Sequence, residues 1–193
     1  MKTFDLFVVE LEKLTNDTIT TESGLELYVD TKFNEFEHRV TEGPVVAVPF
    51  KYDTGVSVGD TLYFHHLVVM NEGQPLTGED NHYLVRYTPE HTVNNQAIAY
   101  QDQDGNITPL GGWVLLTPVE EEAPTQDSSI EVVSFSEPTV TKGVLAFETE
   151  ETEELGVEVG DVVGFPVNRD YSITIEGQEY YRVRNEDLLY VQE

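Results

Sequence analysis

One hexapeptide occurs twice in this chain. Gly55-Val56-Ser57-Val58-Gly59-Asp60 returns as Gly156-Val157-Glu158-Val159-Gly160-Asp161, identical at five of six positions and displaced by 156 − 55 = 101 residues in a chain of 193. Phe64 and Phe165 each stand four residues past the aspartate. Upstream, Gly43-Pro44-Val45-Val46-Ala47-Val48 is answered by Gly143-Val144-Leu145-Ala146-Phe147, and the opening run Phe4–Leu11 by Trp113–Val119. Downstream, Glu72-Gly73-Gln74 is answered by Glu176-Gly177-Gln178, each read as a hairpin turn between strand-like runs. A lone Val-x-Val-Gly-Asp marks only a tight turn. Several matches in one order and near-constant spacing mark a duplicated unit. The expected domains are therefore 1–101 and 102–193, joined at the polar turn Gln101-Asp102-Gln103-Asp104-Gly105-Asn106. Gly59, Asp60, Gly160 and Asp161 are its structural turn residues.

Apolar clusters of four to seven residues, rich in Val, Leu, Tyr and Phe and separated by Gly, Pro, Asn or Asp, recur along the whole chain. They include Gly43–Phe50, Thr61–Met70, His82–Tyr87, Ala97–Gln101, Gly143–Phe147, Val162–Val167, Tyr180–Arg184 and Leu188–Val191. No stretch holds a 3.6-residue apolar period over three turns. The fold class expected is all-β, built as barrels or sandwiches.

Two segments break that pattern. Thr15 to Glu42 and Glu120 to Lys142 are longer than the ~12–15 residues usual for a connection inside a compact domain. Each is polar or acidic but holds an apolar island: Ser23-Gly24-Leu25-Glu26-Leu27-Tyr28-Val29 in the first, Ser128-Ser129-Ile130-Glu131-Val132-Val133-Ser134-Phe135 in the second. Two readings stay open from pattern alone: an edge hairpin packed on its own domain, or a flexible arm carrying a hydrophobic anchor.

Charge narrows the function classes. Ten Lys and Arg against 37 Asp and Glu leave a net charge of −27. Binding to nucleic acid or an anionic membrane needs basic residues to neutralise phosphate, so both are read as absent. Cysteine is missing, which removes disulfides, thiol catalysis and thiolate zinc sites. No apolar run approaches the ~18–20 residues of a spanning helix, and acidic residues enter too early for a secretory leader.

The ordered features resemble the GroES co-chaperonin family. The points of likeness are a first strand, a long loop with Ser23-Gly24 before an apolar anchor, the Gly43-Pro44-Val45 strand, the Val-x-Val-Gly-Asp turn and the closing Asn185-Glu186-Asp187-Leu188-Leu189-Tyr190-Val191. The first copy's ending, Thr88-Pro89-Glu90-His91-Thr92-Val93, matches that closing segment poorly. Thr21-Glu22-Ser23-Gly24-Leu25 is similar to the loop of phage-encoded members. The resemblance implies two tandem GroES-like β-barrels, each with a long loop after its first strand. It also implies a homo-oligomeric ring that caps a nucleotide-bound type I chaperonin in the cytoplasm (the host's, if phage-encoded) and assists client proteins such as capsid. The anchors it implies are Leu25, Leu27 and Tyr28 in the first loop and Ile130, Val132 and Val133 in the second. Departures are the tandem arrangement, the glutamates Glu26 and Glu131 within the anchors, and Ser128-Ser129 in place of a glycine pair. The family's sevenfold ring is an odd count that two-domain chains cannot fill evenly.

Nothing in the residues requires catalysis. There is no Gly-x-Ser-x-Gly, His-Glu-x-x-His or glycine-rich phosphate loop. His65-His66 with Asp80 and His82 could frame a small metal site, yet adjacent strand residues face opposite ways, so ordinary turn histidines are favoured. Asp102 and Asp104 lack the remaining ligands of a calcium loop. Trp113 reads as core of the second domain. The acidic runs Glu120-Glu121-Glu122 and Glu148 to Glu154 read as a solvated surface or as the lining of a folding chamber. No cofactor or metal is expected. The alternative function is a virion structural or assembly protein built on the same barrels.

Overall fold

A computed structural model describes residues 2–16, 18–20, 23–28, 38–90, 94–119, 140–169 and 171–192. The strands in chain order are β1 (Leu6–Glu10), β2 (Thr18–Thr20), β3 (Glu26–Tyr28), β4 (Glu42–Ala47), β5 (Thr61–Phe64), β6 (His82–Arg86), β7 (Ala97–Gln101) and β8 (Ile107–Pro109). They continue with β9 (Trp113–Pro118), β10 (Val140–Leu145), β11 (Val162–Pro166), β12 (Ser172–Ile175), β13 (Gln178–Arg184) and β14 (Tyr190–Gln192). The protein is all-β, with two six-stranded sheets ordered β6-β1-β4-β5-β7-β8 and β12-β13-β9-β10-β11-β14, and a separate two-stranded sheet β2-β3. The chain divides into two compact units, Met1–Gly111 and Gly112–Glu193.

The sheet orders coincide over five strands. β6-β1-β4-β5-β7 in the first runs as β13-β9-β10-β11-β14 in the second, and all these pairings are antiparallel. Register agrees too: Gly43 opposes Leu62, and Gly143 opposes Val163. Both glycines sit at a close approach that a side chain would crowd. A Cβ on Gly43 would stand 2.5 Å from Leu11 Cδ2, and one on Gly143 would stand 2.7 Å from Leu116 Cβ.

Strand alternation gives each unit a buried apolar cluster on one face of its sheet. Phe7, Val9, Leu62, Phe64 and Val85 are among the buried residues of the first. Val114, Leu116, Leu145, Val163, Phe165 and Val183 form the second with Val157. Trp113 is buried but does not join that cluster. It alternates with Val114 along β9 and so belongs to the opposite face, together with Leu115.

Two other sequence expectations need correction, and one short element is new. Glu72-Gly73-Gln74 is not a hairpin turn: Gly73 caps a 3-10 helix over His66–Glu72, and the turn before β6 uses Gly78 and Asn81, both at positive φ. Its structural counterpart in the second unit is Glu176-Gly177, where two successive positive φ values (52° and 78°) make the tight turn between β12 and β13. The first copy's closing strand is Ala97–Gln101, which pairs with β5 as Tyr190–Gln192 pairs with β11; Thr88–Val93, the ending read from the sequence, lies partly outside the described residues. Finally, Glu150–Glu154 forms a short helix, α1. Thr149 caps it by accepting from Thr152 N while Thr152 Oγ1 accepts from Thr149 N. Five residues are too few to show a helical period.

Candidate functional site

The first long loop leaves and re-enters its unit through a hydrogen-bonded stem. Val40 N donates to Leu14 O (3.0 Å), Asn16 N donates to His38 O (2.6 Å), and Thr15 bridges Arg39 between them. Beyond the stem, β2 and β3 pair with each other, and with no other strand among the described residues, in the register Thr18–Tyr28, Ile19–Leu27 and Thr20–Glu26. Gly24 supplies the positive φ (79°) that reversal of the chain demands.

This hairpin carries the first set of expected anchors. Leu25 is 60% exposed, Leu27 48% and Tyr28 84%. Leu25 directly precedes β3 and Leu27 is its central residue. Ile19, which sequence reading did not single out, stands opposite Leu27; its place becomes visible only once the hairpin register is fixed. Burying one such aliphatic side chain is worth roughly 1.5–3 kcal/mol, so the three exposed side chains hold an unused association energy. Ile130, Val132 and Val133, the second expected set, lie outside the described residues.

The four turn residues occupy matching positions. Asp60 Oδ2 accepts from Ser57 N (2.7 Å) and Asp161 Oδ2 from Glu158 N (2.9 Å). Gly59 N donates to Val45 O and Gly160 N to Leu145 O, both at 2.9 Å. Gly59 and Gly160 have φ of 97° and 99°, Gly55 and Gly156 both 71°. These residues fix the β4–β5 and β10–β11 connections.

His65 is engaged structurally: its Nδ1 accepts from Leu67 N and caps the 3-10 helix, and its ring lies 4.3 Å from that of His66. Among the described residues no group of three or more His, Asp or Glu is placed to hold a metal ion. The Asp102 turn is a hairpin between β7 and β8. Its carboxylate accepts from Asp104 N, Asn106 N and Asn106 Nδ2, and these bonds, that from the Asn106 side chain foremost, hold its pKa below the usual range. No described helix is long and apolar enough to cross a membrane.

The comparisons agree with this geometry. The sequence model of the chaperonin 10 kd subunit family matches residues 106–192, from just before β8 to the end of β14. The co-chaperonin GroES of Coprothermobacter proteolyticus is 38% identical over 92 residues, covering 44% of this chain and 93% of that protein. Co-chaperonins of this kind are in general not enzymes. With nearly the whole length of a curated member matched at that identity, and an all-β frame to carry it, the chain belongs to the GroES co-chaperonin family.

Proposed function

We propose that the protein is a tandem co-chaperonin that caps a nucleotide-bound type I chaperonin and assists client folding, with Leu25, Leu27 and Tyr28 as anchors. One observation carries the reading: a hairpin outside both six-stranded sheets presents three large exposed apolar side chains on a closed stem. Ile130, Val132 and Val133 serve the second loop in the same way. Each compact unit supplies one GroES-like barrel, with the joint moved from 101/102 to 111/112 because β8 belongs to the first sheet; the shared strand order and the matched turn hydrogen bonds support that duplication.

A single hairpin binds weakly, because ordering a chain segment takes back much of what apolar burial supplies. Assembly into a ring multiplies the effect through local concentration. Support for self-association comes from the edge at β14. In the first sheet β8 covers β7, whereas among the described residues β14 pairs only with β11, and Leu189, Tyr190 and Val191 are exposed. Uncovered edges of this kind readily take another strand. The ring must form against a net charge of −27 per chain, so added salt should favour it. The proposed setting is the cytoplasm, that of a bacterial host if the chain is phage-encoded, with phage proteins such as capsid among its clients.

Native mass spectrometry of the protein with a chaperonin, with and without ATP, tests the reading. A complex is expected with nucleotide alone, and Leu25→Glu combined with Leu27→Glu should abolish it. Binding that survives the double change removes the anchor assignment. Absence of any nucleotide-dependent complex, with the protein recovered in purified virions, favours the structural-protein alternative instead.

A further inference from the structure

Three of the four basic residues in the second unit, Arg169, Arg182 and Arg184, gather around one end of β13, close enough for Arg184 to feel the charges of both others. The β9–β13 register sets Arg184 directly across from Trp113 and Arg182 across from Leu115. The Arg184 guanidinium carbon lies 4.0 Å from the Trp113 ring centroid. That of Arg182 lies 5.6 Å from the same ring and 5.2 Å from the Tyr171 ring. Attraction between a guanidinium and an indole face strengthens as water is removed, which helps two like charges share this face. Burial, followed by the charge of Arg184, lowers the pKa of Arg182 to about 10. Burial lowers that of Arg184 as well, with Glu186 and Asp187 opposing the shift and Arg169 adding to it.

Stacking supplies no hydrogen-bond acceptor. Trp113 Nε1 and Arg184 Nη1 are both buried, and neither has one among the described residues. Trp113 itself is only 4% exposed. Buried polar groups are nearly always satisfied, and an N–H on a charged group is among the most expensive to leave unmade. Asp187, whose charge Arg184 feels, is paired instead with Arg169, Nε to Oδ2 3.4 Å. Two such donors on cross-strand neighbours in ring contact form one feature. Its rim carries the exposed Tyr171 and the half-buried Arg184.

We propose that Arg184 and Trp113 form a binding site for a carboxylate, whose oxygens accept from Arg184 Nη1 and Trp113 Nε1 while Arg182 adds a second positive charge. A guanidinium offers a planar fork that matches a carboxylate, and a carboxylate brings negative charge to the arginines where water brings none. The carboxylate belongs either to a small organic acid or to an acidic side chain of a polypeptide.

Trp113 is the sole tryptophan of the chain, so its emission reads the site directly in the intact protein. Acetate and succinate are titrated at constant ionic strength against sodium chloride, with an acetylated tri-glutamate peptide in a parallel arm. The expected result is a saturable change with carboxylates and none with chloride alone. Affinity should fall about tenfold or more in Arg184→Gln. Arg184→Lys, which keeps the charge without the fork, should bind measurably more weakly than the native protein, and it carries the decision if Arg184→Gln fails to fold by circular dichroism. Saturation by the small acids identifies a free ligand; saturation by the peptide alone identifies a polypeptide. No saturable change in either arm, an equal response to chloride, or native affinity in both variants overturns the proposal.

Discussion

The two six-stranded sheets share a frame and differ in how they fill it. Tyr63 on β5 faces Ala99 on β7, a large residue against a small one. At the matching place in the second sheet Gly164 on β11 faces Tyr190 on β14, with the sizes exchanged. The Tyr190 ring covers Gly164 so closely that a Cβ there would overlap it. Tyr63 and Ala99 are buried, whereas Tyr190 stays exposed on an edge that no described strand covers. Turn geometry and register are thus held constant between the halves. Side-chain volume moves freely, provided it moves across a pair.

Removing a core ring should give the largest break in that symmetry. Phe64→Ala and Phe165→Ala each delete a fully buried aromatic, an expected loss of about 3–5 kcal/mol. Denaturant titration followed by Trp113 emission should show a lowered midpoint for Phe165→Ala and little change for Phe64→Ala. Equal shifts would mean that the halves unfold as one cooperative body. Exchanging the tyrosine comes next. Gly164→Tyr alone should destabilise by roughly 1–3 kcal/mol through overlap with Tyr190, and adding Tyr190→Ala should restore most of it. A double variant no better than the single would show that the exchanged pair is not a coupled unit.

The aspartate turns offer a finer comparison. Asp60→Ala and Asp161→Ala each remove the acceptor for a turn N–H, worth about 1–2 kcal/mol. Asp60 is buried and Asp161 only partly so; thermal melts should therefore show the greater loss for Asp60→Ala. The glycines on β4 and β10 should differ least. Gly43→Ala meets the flexible end of Leu11, but Gly143→Ala meets Leu116 Cβ, which cannot swing away. The second should cost more, by about 1 kcal/mol, and a reversed order would put the tighter strand approach in the first half.

Local rules explain what could be read from the chain. The hexapeptide turn was legible because its glycines need positive φ and its aspartate ties a backbone N–H three residues away. The hairpin at Leu25 and Leu27 was legible as an apolar island, but the exposure that makes it a candidate site depends on what packs against it. Ala97–Gln101 escaped recognition as the partner of Leu188–Val191 because small buried residues stand where the second half has large exposed ones. The same blindness affects Trp113. It opens the unbroken apolar run Trp113-Val114-Leu115-Leu116, and a run without alternation does not reveal which face each residue takes. Its arginine neighbours arrive only through the cross-strand register.

The stem beneath the first hairpin carries a consequence for how such a protein changes over time. Thr15 and Arg39 bring the chain together before the apolar residues begin and again after they end. Closing a longer excursion across a stem costs only about 0.6 kcal/mol per doubling of its length. The stem therefore lets the segment between Asn16 and His38 change in length at small entropic cost to its closure. On the function proposed above, recognition and stability are carried by separate parts of the unit, and one can change without retuning the other.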